Sequence, residues 1–431
     1  MAWRPDQLLW GVTYLPAEVG PWLWHEFSAE RTRRDLRRIR AAGFGVVRVP
    51  LAWDAFVPTP RQVSRHRLRD LETLLGIALE CDLRVVPVLF AQSFGDCVLL
   101  PRYAVARGER RRGVRVVVDG IVEAGAPRDV WDDPLMLEVE ALWLEETLRA
   151  FANHPGVLAW DLGHDPATTC RPVRIAHVAA WARLMGERVR AAGDVCWMTL
   201  GAGDVLQARG MRLAVVAPHV DAIGISVGAE ELDPLRVGFL MRVAQRLAVA
   251  DGDAPVPPLV VHLGIAAEPV ADFVVDSGPP AHPTGTGRPG PGGPAGRSAT
   301  GSSQVGRAGG PQPAPAQQAV RFTGATLERL PDDGAVAILN TLWTDLGPRP
   351  VAAPPYDRHP LLAATGVAAA NGDLKPHGEV WSTAARRDTA AGNPAPWPPG
   401  AFDAAQWYEN LPDASNDLFA RFRADFHIAG E

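Results

Sequence analysis

The sequence predicts an α/β chain closed into a single (β/α)8 (TIM) barrel, and three observations carry that expectation. Short, nearly continuous apolar runs alternate with segments of helical spacing from Leu8 to Ala385. Eight such runs are present, and eight strands each followed by a crossover favour a parallel sheet closed on itself over an open one. A hydrophobic share of 47% with 21% charged residues in 431 residues supplies one large core.

Leu8–Leu15 (LLWGVTYL) is rich in aromatic and β-branched residues and is closed by Pro16, which suits a buried first strand. Ser28 caps the following helix, Glu30 favours its positive end, Leu36 and Ile39 form its stripe, and Gly43 stops it. Phe44–Val49 is the second strand, ended by Pro50, and Leu68, Leu71, Leu74, Leu75 and Leu79 mark a helix. Leu83–Phe90 repeats the strand pattern, and strands apolar on both faces belong to a parallel sheet covered on both sides.

The alternation continues with a helix at Leu135–Phe151, a strand at Val157–Leu162, a helix at Ile175–Ala192 and a strand at Val195–Leu200. Asp221–Val227, Leu259–Ile265 and Ala335–Leu342 complete the eight strands, with helices at Pro234–Ala248, Ala316–Leu330 and Lys375–Ala385. Residues 277–315 are almost entirely small or polar, so a disordered low-complexity insertion is expected after strand seven, at the C-terminal rim of the barrel. The barrel is assigned residues 1–387, and 388–431 is a C-terminal extension whose Trp407–Phe426 stretch predicts an amphipathic helix packed on the barrel's outside.

A net charge of -6 argues against nucleic-acid binding, which needs uncompensated Lys and Arg. The basic run Arg107–Arg115, interrupted by Glu109, reads as a solvated loop. No run of about 18 apolar residues predicts a membrane span. Met1–Asp6 lacks a signal-peptide pattern, and Cys81, Cys97, Cys170 and Cys196 lack CxxC spacing, so the expected setting is cytoplasmic, without a disulfide framework or zinc ribbon.

In order, GVTY, VVRVPLAW, VVPVLF, LAWDLGHDP, VVHLG and LNTLWTDLG, followed by Pro354, Pro355, Tyr356, Asp357 and by Lys375, Pro376, resemble the cellulase-like and mannanase-like glycoside hydrolases of family 5. The resemblance runs from Leu8 to Arg387. In that family the strand-four segment reads WDLGNE, its Glu serving as general acid and base, and strand seven ends in the nucleophilic Glu. Laid on those motifs, Trp160, Asp161, Leu162 and Gly163 match, His164 takes the Asn place, Asp165 the acid's and His262 the nucleophile's. Arg48 and Trp343 are kept, whereas Ser226 stands near the usual His and FAQSFGD lacks the familiar polar residues.

A retaining glycosidase needs two carboxyl groups roughly 5–5.5 Å apart. Asp165 retains acid function on a shorter stem. His262 brings no negative charge to an oxocarbenium-like transition state. The resemblance therefore implies an impaired barrel that binds a carbohydrate at its C-terminal rim through Arg48, His164 and Trp343, with Asp165 and His262 at the catalytic positions. An active O-glycosyl hydrolase is the alternative, with Asp165 as general acid and Glu230, Glu231 or Glu268 as base; a structural or partner-binding barrel is another.

Each residue also has a structural reading. Asp165 before Pro166 suits a helix start. Arg48 suits a salt bridge, His164 a bond to a buried carbonyl, and Trp343 a core position. No HxH or HExxH spacing supports a metal at His164, Asp165 and His262. No cofactor or metal is expected.

Overall fold

The computed structural model describes residues 3–90, 93–94, 97–106, 108, 114–208, 211–228, 233–249, 258–267, 313–393 and 406–429. Eight parallel strands form a closed barrel: β1 (Leu9–Thr13), β2 (Val46–Pro50), β3 (Arg84–Val88), β4 (Trp160–His164), β5 (Cys196–Gly201), β6 (Ala222–Ser226), β7 (Leu259–Leu263) and β8 (Ala335–Asn340). Each pairs with its sequence neighbour, and β1 with β8 closes the ring through Leu9↔Ala337 to Val12↔Asn340.

Helices α1 (Ala29–Ala41), α2 (Arg65–Glu80), α3 (Pro134–Phe151), α4 (Ile175–Ala191), α5 (Pro234–Ala248), α6 (Ala316–Arg329) and α7 (Pro376–Ala385) surround it. Among the described residues the crossover after β5 contains short helical turns, at Ala202–Leu206, Leu213–Val216 and Ala217–His219. Capping follows the sequence: the Ser28 hydroxyl accepts from Arg31 N, and Asp133 and Asp233 accept from the first amides of α3 and α5. The expected β4 at Val157–Leu162 lies slightly later, because Val157 joins β3 only through an isolated bridge and regular pairing starts at Trp160.

Strand alternation fills the barrel in layers. One cluster holds Val46, Val86, Ala159, Trp197, Ala222, Val260, Ala337 and Leu339, with Trp3 packed against Trp197 in a tilted arrangement at 5.2 Å between ring centroids. Two residues further along the same strands, the inward positions turn polar: Arg48, Asp161, Thr199 and His262, all buried. Gly224 belongs to this layer because a Cβ there would sit 2.4 Å from the Thr199 hydroxyl.

Between β3 and α3 the chain builds an excursion that sequence periodicity does not predict. Ser93–Phe94, Cys97–Leu99, Arg115–Val118 and Ile121–Glu123 form a four-stranded sheet over the barrel mouth. Arg115 therefore departs from the solvated-loop expectation: it opens a strand and pairs with Asp357 at 2.9 Å. Of the rest of that run only Gly108 and Val114 are described, and the 277–315 expectation lies mostly outside the described residues.

At the other end, α8 (Asp413–Ala429) places Phe419 and Phe422 against Phe239 of α5, at 5.2 and 5.5 Å between ring centroids. The Trp407 indole donates to Val205 O at 2.7 Å and the Tyr408 hydroxyl to Asp204 O at 3.1 Å, which fixes this segment on the crossover after β5. Among the described residues no helix is long and apolar enough to cross a membrane.

Candidate functional site at the barrel mouth

The C-terminal ends of the strands open into a cavity of about 230 Å³. Thr13, Arg48, Val88, Ser226 and His262 line its floor, His164 and Asp165 one side, and Thr341, Leu342, Tyr356, Leu362 and Thr365 the other. Phe94 from the excursion meets Tyr356 edge to face at 6.1 Å and narrows the opening. The Lys375 ammonium, fully buried, donates to both Asp345 oxygens at 3.0 Å, to Ala364 O at 3.0 Å and to Ala267 O at 3.3 Å, and so braces the rim behind β7 and β8.

Charge on the floor is consumed internally. Arg48 sends Nε and Nη2 to Asp161 Oδ2 at 2.9 and 2.8 Å, with the two residues 2% and 0% exposed. The same oxygen accepts the Thr199 hydroxyl at 2.6 Å, while Oδ1 takes the amides of Thr199 at 3.1 Å and Gly163 at 3.2 Å. Thr199 Oγ1 in turn lies 3.1 Å from His262 Nε2. Arg48 thus borders the cavity with its guanidinium committed to Asp161, a residue of the WDLG segment to which the resemblance assigned no role.

His164 and His262 stand edge to face, 6.1 Å between centroids. Burial, and then the nearby Arg48 charge, pushes the His164 imidazole down to about 3 and holds that of His262 well below the usual range, so both rings are neutral near pH 7. Their Nδ1 atoms are buried without a partner among the described residues.

Asp165 has left-handed backbone geometry (φ 46, ψ 54) at the start of a short helix, Pro166–Thr169. Its Oδ2 accepts the Thr168 hydroxyl at 2.8 Å, and Oδ1 overlies Gly201, where a Cβ would sit 2.6 Å away. Burial raises its pKa. Asp204, just beyond Gly201, is pushed up to about 7 by burial and by Asp165, but its oxygens accept the Gly201 and Met211 amides and it does not reach the cavity.

Trp343 lies apart from this cluster. Beyond Asn340 the chain leaves β8: the Asn340 amide donates to Leu342 O and Thr365 O, both at 2.7 Å, and Leu342–Thr344 pairs instead with Gly366–Ala368. Leu342 then faces the cavity, while the Trp343 indole is 2% exposed and packs against Phe44 at 6.2 Å. Glu230, Glu231 and Glu268 lie outside the described residues, the first two just past Gly228, which lines the cavity. Among the described residues Asp165 is the single carboxylate in the lining, and no group of three or more His, Cys, Asp or Glu side chains forms a metal cluster.

No family model and no curated protein sequence matches this chain. Solved structures do. GH5_18 from Streptomyces cattleya, crystallised with GlcNAc, superposes with a TM-score of 0.71 at 18% identity, covering 100% of this chain and 92% of that one. GH5_18 from Bifidobacterium longum subsp. infantis gives 0.65 at 17% identity, covering 90% and 81%. The exo-β-1,4-mannosidase Op5Man5 from Opitutaceae bacterium strain TAV5 gives 0.65 at 18% identity; 89% of this chain is covered, and it spans 61% of that chain's length. The fold of this chain is that of the family 5 glycoside hydrolases.

Proposed function

We propose that this barrel binds a carbohydrate at its mouth and lacks retaining glycoside hydrolysis. The observation that carries the reading is the neutral, buried His262 on the β7 floor, facing the same cavity as Asp165, the one carboxylate in the described lining. A retaining mechanism needs a second carboxylate roughly 5–5.5 Å from the acid to attack the anomeric carbon. Neutral imidazole gives a developing oxocarbenium little stabilisation.

Binding is supported by a preformed concave site whose polar groups, Thr13, His164, Ser226 and Thr341, are interleaved with apolar walls. Its volume falls below the ~300–1,000 Å³ of sites for drug-sized ligands, which limits the occupant to about one sugar ring. The neighbouring GH5_18 structures hold GlcNAc or Manβ1-4GlcNAc, so the single ring GlcNAc is the first ligand to try, and the disaccharide tests whether a second ring extends beyond the cavity.

The active alternative is favoured by one feature: raised by burial, the Asp165 carboxyl keeps a proton to higher pH, as a general acid must. The test is a panel of nitrophenyl glycosides with the wild type, Asp165→Asn and a Glu230→Gln/Glu231→Gln/Glu268→Gln triple variant, together with titration calorimetry against GlcNAc, mannose and Manβ1-4GlcNAc. Binding without nitrophenol release is expected. Release abolished in both variants would establish the hydrolase instead, and silence in every arm would remove the carbohydrate reading.

A further inference from the structure

The floor of the cavity contains a hydrogen-bond relay whose direction is set by counting protons. Asp161 Oδ2 already faces two guanidinium N–H groups from Arg48, and Thr199 Oγ1 approaches the same oxygen at 2.6 Å, the shortest contact of the three. A hydroxyl has one proton. Placed between an acceptor surrounded by donors and an imidazole nitrogen at 3.1 Å, Thr199 spends that proton on Asp161. The His262 contact is then a bond only if Nε2 carries the hydrogen and donates to Oγ1.

We propose that Thr199 is a positioning residue that locks His262, a cavity-lining side chain, in its Nε2–H tautomer and so leaves the ring's lone pair on Nδ1. Arg48 orients Asp161, Asp161 orients the Thr199 hydroxyl, and the hydroxyl selects the tautomer. Nδ1, buried and unpartnered, is then an acceptor only. Only an O–H or N–H donor would satisfy it, and a carboxylate or phosphate oxygen would meet lone pair against lone pair. Gly224 belongs to the device, since any side chain there would displace the Thr199 hydroxyl.

The use of this acceptor in ligand recognition rests on the proposed carbohydrate site, but the tautomer itself does not, so it is tested on the ligand-free full chain. Long-range 1H–15N spectra near pH 7, with the His262 signals assigned by their loss in His262→Gln, should give Nε2 as the protonated nitrogen. The opposite tautomer leaves a buried donor and acceptor mismatched, so its population should be lower by at least about tenfold. Thr199→Ser keeps the hydroxyl and should reproduce the pattern, whereas Thr199→Val should reduce the ratio several-fold; should Thr199→Val fail to fold, Thr199→Ala makes the same comparison. Protonation at Nδ1 in the wild type, an imidazolium, or a ratio unchanged without the hydroxyl would overturn the proposal.

Discussion

Removing Arg48 should be among the most damaging single changes in this protein. The guanidinium is 2% exposed and donates twice to Asp161, itself 0% exposed. In Arg48→Met the carboxylate stays in the barrel with its remaining donors and no counter-charge. Breaking one side of a buried pair costs about 3–5 kcal/mol. Counting the bonds agrees: two charge-assisted hydrogen bonds at ~1.5–3 kcal/mol each give ~3–6 kcal/mol. Against a typical stability of about 5–15 kcal/mol, the loss is a large fraction of the whole. Urea unfolding followed by tryptophan fluorescence measures it as a fall in midpoint at unchanged slope. The second site makes the test specific. Arg48→Met/Asp161→Asn removes the orphaned charge and leaves one amide oxygen for the Thr199 and Gly163 N–H groups, so it should recover at least half of the single variant's loss, a coupling expected only of residues in contact. A loss below about 1 kcal/mol in Arg48→Met, or a double variant no more stable than the single one, would refute the reasoning.

Three further outcomes follow from the same geometry. Asp204, pushed up to about 7, holds a proton in the fold that the unfolded chain releases near pH ~4; its contribution is present below that value and lost as pH rises through about 7, a change on the order of 4 kcal/mol. Asp204→Asn should therefore gain on the wild type between pH 4 and 8 in paired urea titrations, and parallel curves would exclude the effect. Trp343→Ala should cost ~3–5 kcal/mol as a core truncation while leaving any sugar affinity within about twofold, because the indole packs on Phe44 and not in the cavity; a tenfold loss of binding by calorimetry would place it in the site. Gly378→Ala would bring a Cβ to 1.9 Å from Val367 O, so α7 must move off the Gly366–Ala368 strand, and a loss of at least ~1–3 kcal/mol by thermal unfolding is expected for such overpacking.

The barrel was legible because its information is local and repeated. Each strand is a short apolar run with its own stop, such as Pro16 after β1 or Gly43 before β2, and eight repetitions leave few topologies. The excursion between β3 and α3 was not legible. Its strands are two to four residues long, and Arg115 opens one of them from within a basic run, so composition pointed to solvent while a distant partner, Asp357, decided the position. Asp161 was within reach of the sequence. It stands two residues after inward Ala159, as Arg48 does after Val46, and two opposite charges at inward positions of one barrel have little choice but each other.

Trp343 marks where this kind of counting stops. From Ala337 and Leu339 the alternation runs inward to Thr341, which does line the cavity, and would carry Trp343 there as well. Asn340 breaks the count by tying its amide to Leu342 O, two positions on, and to Thr365 O, 25 positions away. The turn inverts the facing of Leu342 and Trp343, so an apolar aliphatic side chain occupies the wall and the aromatic ring goes to the core. A motif match reports that a tryptophan is present after strand eight. Its direction is set by a long-range hydrogen bond, and the same holds for the tautomer of His262, which depends on Asp161 and Arg48 from two other strands. The facing and hydrogen-bonding state of these cavity-side groups are therefore fixed by long-range bonds, whose partners a single sequence does not pair.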